Sequence, residues 1–281
     1  MSALITPAEL AARLGDPALR VFDTTVRLPR PPGGGPYTPE SGQDVYDRGH
    51  VPGAGFADLV GDLAEPGPLP FALPSPERFA DAAGRLGMGP GTHVVVYAQE
   101  SPMWATRMWW LLRYFGFDAV SVLDGGLPAW RAAGLPLETG TSAYPAAPFT
   151  ARPRPELLAR RADVERIVAD GSSCLANALA PEVFRGEGKT SYSRPGRIPG
   201  SVNAPAKGLL DADGNFLPTQ ELTDRLGGLL AEPSVVVYCG GGISATIPVF
   251  ALALLGRTDA RLYDGSLAEW SADPALPLET G

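Results

Sequence analysis

The sequence predicts an α/β protein built as two tandem copies of one domain, each a mainly parallel sheet covered by helices on both faces. Three observations carry this. The chain repeats itself: VVVYAQESPMWAT from residue 94 is answered by VVVYCGGGISAT from residue 235, and LDGGLPAWRAAGLPLETG by YDGSLAEWSADPALPLETG. The offset is 141 residues at both ends of the repeat, from Tyr97 to Tyr238 and from Leu135 to Leu276, so a whole domain is copied rather than a solenoid unit. Its strands are short, continuously apolar runs separated by helical segments, the pattern of parallel strands buried on both faces.

The elements follow in order. Thr6 and Pro7 form a helix start, a capping residue followed by proline at the first helical position. GHVPGAG at 49–55 is matched by GRIPGSV at 196–202, and LPSPERFADAAGRLG by LPTQELTDRLGGLL. After VVVY comes a helix rich in aromatics (Trp104, Trp109, Trp110, Tyr114, Phe115), read as core or interdomain packing, with Arg107 on it as a structural residue that interdomain placement could bring near a site. Asp124 and Asp264 are turn residues. TSAYPAAPFTARPRPE, with Pro145, Pro148, Pro153 and Pro155, favours an extended, semi-rigid linker. The expected division is a first domain over 1–140, a linker over 141–158 and a second domain over 159–281. In the second copy RADVERIVADG predicts a helix, SSCLANA a strand holding Cys174, TQELTDRLGGLL a helix, SVVVY a buried strand, ATIPVFALALLG a helix and ARLYDG a strand.

Composition excludes several function classes. With 23 basic against 31 acidic residues the formal net charge is −8, which disfavours nucleic acid and anionic membranes as partners. No apolar run approaches the roughly 20 residues of a membrane helix, and the first residues lack the basic and apolar regions of a signal peptide, so a cytoplasmic location is expected. Two cysteines and two histidines, widely spaced, offer neither a disulfide framework nor a zinc site, and no metal is expected.

Cys239 stands at the end of the buried SVVVY strand, before three glycines and a helix. In parallel sheets, ligands sit beyond the carboxyl ends of the strands, near the following helix N-termini. Glycines there can turn backbone N–H groups inward, and with the helix's first turn they favour a thiolate; at helix N-termini cysteine pKa values fall from about 8.5 to roughly 3.5–7.5. A strand-end cysteine alone is more often a core residue, but the first copy has Ala98 and no glycine there, so the domain folds without this loop. The loop in one copy only looks like a site.

These features together, the paired GHVPGAG and GRIPGSV, the DGGLPAW and DGSLAEW turns, and a cysteine loop confined to the second copy, resemble the two-domain rhodanese family of thiosulfate and 3-mercaptopyruvate sulfurtransferases over essentially the whole chain. The resemblance implies a catalytically silent first domain. It implies that Cys239 takes a sulfane sulfur from a small anionic donor, holds it as a persulfide without further cofactor, and passes it to a thiol or cyanide. Gly240, Gly241, Gly242, Ile243, Ser244 and Ala245 would bind the sulfur through their N–H groups, and Arg185 and Arg194 would bind the donor's anionic end. Gly240 and the lack of basic loop residues lean towards the mercaptopyruvate type, although Gly241 stands where some of those enzymes carry serine. Asn177, Leu179 and Arg197 also depart from the family's pattern, which keeps a non-catalytic sulfur carrier or interaction module as the rival reading. A cysteine phosphatase would need arginine where Ala245 stands, and a cysteine hydrolase a positioned histidine.

Overall fold

The computed structural model describes residues 2–29, 37–187, 190 and 192–281. The first half contains β1 (Leu4–Ile5), α1 (Pro7–Ala11), β2 (Leu19–Asp23), β3 (Val26–Arg27), β4 (Glu40–Ser41), α2 (Gln43–Arg48) and β5 (Gly55–Phe56). It continues with α3 (Pro76–Arg85), β6 (His93–Tyr97), α4 (Met103–Tyr114), β7 (Val120–Leu123) and α5 (Gly126–Ala132). The second half contains β8 (Leu158–Ala159), α6 (Arg161–Asp170), β9 (Cys174–Asn177), α7 (Pro181–Phe184), β10 (Val202–Asn203) and α8 (Thr219–Ala231), then β11 (Val235–Tyr238), α9 (Thr246–Leu254), β12 (Arg261–Tyr263) and α10 (Ser266–Trp270). Thr6 caps α1, its side chain accepting from the Glu9 N–H while the Glu9 carboxylate accepts from the Thr6 N–H.

Each half forms a five-stranded sheet, and the two share one strand order: β1-β7-β6-β2-β5 and β8-β12-β11-β9-β10. Every pair in both sheets is parallel. Alternate residues of the central strands enter different cores: Val94 and Val96 one and Val95 and Tyr97 another, Val235 and Val237 one and Val236 and Tyr238 another. That two-sided burial is why these strands read as unbroken apolar runs.

One of those cores is common to both halves. α4 and α9, the helices after the two central strands, pack against each other across it, with Trp109 edge-on to Phe250 at 4.8 Å and the Thr106 and Thr246 hydroxyls 2.7 Å apart. The aromatic helix is thus interdomain packing, as its composition suggests.

The proline-rich segment differs from a free linker. The Tyr144 hydroxyl accepts the Val21 N–H of the first sheet at 2.9 Å, Phe149 packs on Phe79, and Arg154 forks onto Asp118 at 2.6 and 2.7 Å. These contacts strap residues 144–154 along the first half. Leu158, expected in the linker, is the first residue of β8 and pairs with Leu262, so the second sheet begins before the segment's expected end. No described helix is long and apolar enough to cross a membrane.

Candidate active site

β11 is buried along its whole length and delivers Cys239 at its carboxyl end. The loop that follows is held by its carbonyls. Those of Cys239 and Gly240 accept from the N–H groups of Leu267 and Ala268 in α10, at 3.1 and 2.7 Å. The Gly242 carbonyl lies 3.4 Å from the Arg107 guanidinium, and the Ile243 carbonyl accepts the Thr246 N–H at 2.9 Å. The N–H groups are left open. Among the described residues, none from Gly240 to Ala245 has a protein acceptor, although buried amides nearly always find one. Only the cysteine's own N–H is engaged, donating to the Ser266 hydroxyl at 3.1 Å.

The glycines are not equivalent. Gly242 has φ of +77°, and a Cβ there would stand 2.3 Å from the Asp264 carbonyl oxygen, so only glycine fits. A Cβ on Gly241 would meet nothing within 4 Å, and one on Gly240 only the Tyr192 ring at 3.5 Å. At these two positions the missing side chain leaves space above the sulfur rather than permitting the turn.

Cys239 is 2% exposed, yet it lines a cleft of about 1920 Å³ between the halves. Gly240, Gly241, Ile243 and Ser244 line it too; Gly242 and Ala245 lie behind them. The first half contributes Phe71, Met103 and Trp104, and the second Leu179, Val183 and Tyr192. The neighbourhood is therefore largely apolar and aromatic.

Arg107 ties the halves together behind the loop. It is 1% exposed, pairs with the Asp264 carboxylate at 2.5 Å and donates to the Phe71 carbonyl at 2.7 Å. Asp264 also accepts the Leu73 N–H at 2.9 Å, and in the mirror contact Asp124 accepts the Phe216 N–H at 2.9 Å. Burial pushes the Asp124 carboxyl up. Both turn aspartates are interdomain acceptors, a role their short-range turn chemistry does not announce.

The two expected anion-binding arginines are not brought to the cleft. Arg185 is exposed and forks onto Glu187 at 2.8 and 2.9 Å, outside the cleft lining; Val183, two residues earlier, lines it instead. Arg194 donates to the carbonyls of Ser271, Asp273 and Leu276 at 2.7–2.9 Å, clamping the last loop of the second half. These carbonyls take three of the five guanidinium N–H donors. Cys174 sits half-buried at the start of β9, away from the cleft, and burial pushes its thiol up.

The departures at Arg197 and Asn177 have structural accounts. Arg197 stacks on Phe184 at 4.5 Å and pairs with Glu279, as His50 stacks on Tyr46 at 4.0 Å and pairs its backbone with Glu138. Both serve the same corner, away from the sulfur. Asn177 accepts the Leu179 N–H at 2.8 Å and so sets the turn that carries Leu179 into the cleft. Tyr192 and Trp104 were not singled out as cleft residues by sequence, since neither stands in a motif that distinguishes lining from packing.

Comparison with known proteins agrees with this geometry. The rhodanese-like domain family matches residues 6–133 and 184–273. The chain is 38% identical over 288 residues to a probable 3-mercaptopyruvate sulfurtransferase of Pseudomonas aeruginosa, covering 99% of this chain and 98% of that protein. It is 37% identical to the putative thiosulfate sulfurtransferase SseB of Mycobacterium tuberculosis, over 99% and 97% of the two chains. The crystal structure of the Escherichia coli 3-mercaptopyruvate enzyme SseA superposes with a TM-score of 0.83 at 32% identity, over 95% of this chain and 99% of that one. A doubled parallel sheet, a cysteine cradle in the second copy and full-length similarity converge: the chain belongs to the rhodanese family.

Proposed function

We propose that this sulfurtransferase carries a sulfane sulfur on Cys239, taking it from 3-mercaptopyruvate in preference to thiosulfate and giving it to a thiol or cyanide. The observation that carries the reading is the run of six N–H groups, Gly240 to Ala245, without acceptors among the described residues, beside a thiol that reaches the cleft. A persulfide's outer sulfur is an anion, and pre-aligned amides in a dry site stabilise such charge without reorganising. The first half, with Ala98 at the equivalent place, holds no sulfur and supplies one wall of the cleft.

The donor preference follows from charge. Thiosulfate is a dianion that leaves as sulfite, also a dianion, and needs strong cationic support. Arg185 and Arg194 are engaged elsewhere, Arg161 on the cleft wall pairs with Glu165 and Asp273, and Arg160 beside it is exposed to solvent, which screens its charge. A donor with one carboxylate and an uncharged carbonyl asks less of this apolar cleft. Steady-state transfer to cyanide measured with each donor, for wild type and Cys239→Ser, tests both parts. Turnover confined to wild type and faster with 3-mercaptopyruvate is expected; equal turnover by the variant would refute the role of Cys239.

A further inference from the structure

Tyr192 reaches the sulfur's side of the cleft from the segment between α7 and β10. Its ring lies 3.5 Å from where a Cβ on Gly240 would stand, so it covers the residue next to Cys239. Its phenolic oxygen is buried but has no hydrogen-bond partner among the described residues. Four other buried tyrosines are satisfied: Tyr46 donates to the Ala54 carbonyl, Tyr97 accepts the Val51 N–H, Tyr238 accepts the Ile198 N–H, and Tyr263 donates to Glu269. A buried hydroxyl left open beside a reactive thiol invites a partner that arrives with the substrate.

The proposed reaction needs such a group. When the Cys239 thiolate attacks the sulfur of HS–CH2–CO–COO⁻, an S–S bond forms, the S–CH2 bond breaks, and its electron pair leaves on carbon as the pyruvate enolate. That enolate must gain one proton. Neither histidine can supply it: His50 is bound to the Tyr46 carbonyl, and His93 to Arg13 and Ser121, both within the first half. Ser244 is the one side-chain hydroxyl of the loop from Gly240 to Ala245, and Tyr192 differs from it in having its hydroxyl buried and left open.

Resting on the assignment of Cys239 as the sulfur carrier, we propose that the Tyr192 phenol protonates the departing enolate and recovers its proton from the S–H of the new persulfide. The balance closes: thiolate and thiol donor become pyruvate and a Cys–S–S⁻ anion, which the loop amides then hold. Burial, and next to it the neighbouring Cys239, push the phenol well above its ordinary range, so at neutral pH it stands protonated, and the enolate carbon, a stronger base than a phenolate, can take that proton.

The test is Tyr192→Phe, which removes one oxygen and keeps the ring. Pyruvate release from 3-mercaptopyruvate and mass gain on Cys239 from inorganic polysulfide are measured on the full chain, with the solvent isotope effect on the first. Polysulfide cleaves S–S and leaves no carbon to protonate. The expected result is a roughly 100-fold or larger loss of pyruvate release, with polysulfide loading within about twofold of wild type. Unchanged pyruvate release overturns the proposal, and so does an equal loss with both donors, which would mark Tyr192 as packing. A wild type that loads from polysulfide but releases no pyruvate overturns it while leaving Cys239 as carrier; Cys239→Ser loading like wild type overturns both.

Discussion

The turns after β6 and β11 are the same turn put to opposite uses. The carbonyls of Ala98 and Cys239 accept equivalent N–H groups, from Leu127 at 3.0 Å and Leu267 at 3.1 Å. The next residue makes the difference. In the first half, the Gln99 N–H donates to the Thr25 hydroxyl at 2.9 Å, and its side chain fills the space by donating to Asp23 and to the Gly49 carbonyl. In the second half, Gly240 has no side chain, and Leu179 stands where Thr25 stands and offers no acceptor. In the first turn the amide after Ala98 is thus taken, with a side chain over it. The second is left open, and that open donor set is what an anionic sulfur can use. Leu179, which departs from the family's pattern, keeps it open.

The largest expected effect comes from breaking the tie behind the open turn. Arg107→Ala strands the Asp264 carboxylate, 14% exposed, against the interdomain core. Removing one partner of a buried pair costs about 3–5 kcal/mol, read by urea unfolding, and sulfur transfer should fall with it because the Gly242 carbonyl loses its anchor. Urea stability within about 1 kcal/mol of wild type would show that the pair does not hold the halves together.

Making the second turn resemble the first is the sharper test. Leu179→Thr places a hydroxyl where Thr25 has one, within reach of the Gly240 N–H. We expect about a tenfold loss of sulfur transfer, the scale of one weakened anion-stabilising donor, with a stability change of about 1–3 kcal/mol from the smaller side chain. Transfer at the wild-type rate would mean that the Gly240 amide is not part of the cradle.

The smallest effect separates the sheets beneath the turns. Asp23 and Asn177 occupy the same place, paired with Tyr97 and Tyr238. Burial raises the Asp23 carboxyl, against hydrogen bonds from Thr25 and Gln99 that lower it. A carboxyl raised in the folded state binds its proton more tightly there than when unfolded. Its contribution therefore favours folding below the ordinary carboxylate range and is lost as pH rises towards the folded value. Asp23→Asn should flatten the stability curve above the ordinary carboxylate range, read by urea unfolding at a series of pH values; an unchanged curve would mean that Asp23 does not titrate with folding.

The sequence announced much of this because the informative features are local or copied. Buried strands read as apolar runs, and the 141-residue offset between Tyr97 and Tyr238 aligns the turns well enough to make Cys239 stand out against Ala98. The anion-binding residues were less legible. Arg185 and Arg194 lie in motif-like stretches, but a motif does not say where a guanidinium points, and here one meets Glu187 and the other carbonyls of the segment around Ser271 to Leu276. Arg107, Asp264 and Tyr192 matter through contacts between distant segments, such as Arg107 with Asp264 across the interface, which periodicity cannot reveal. Leu158 was assigned to the linker because the prolines before it outweighed a two-residue strand.

Mapping the sulfur addresses the central claim most directly. Wild-type protein exposed to 3-mercaptopyruvate, digested without reductant and read by mass spectrometry, should carry one added sulfur, on the peptide containing Cys239, with Cys174 unmodified. Sulfur on Cys174, or none retained on either thiol while pyruvate is released, would contradict the account.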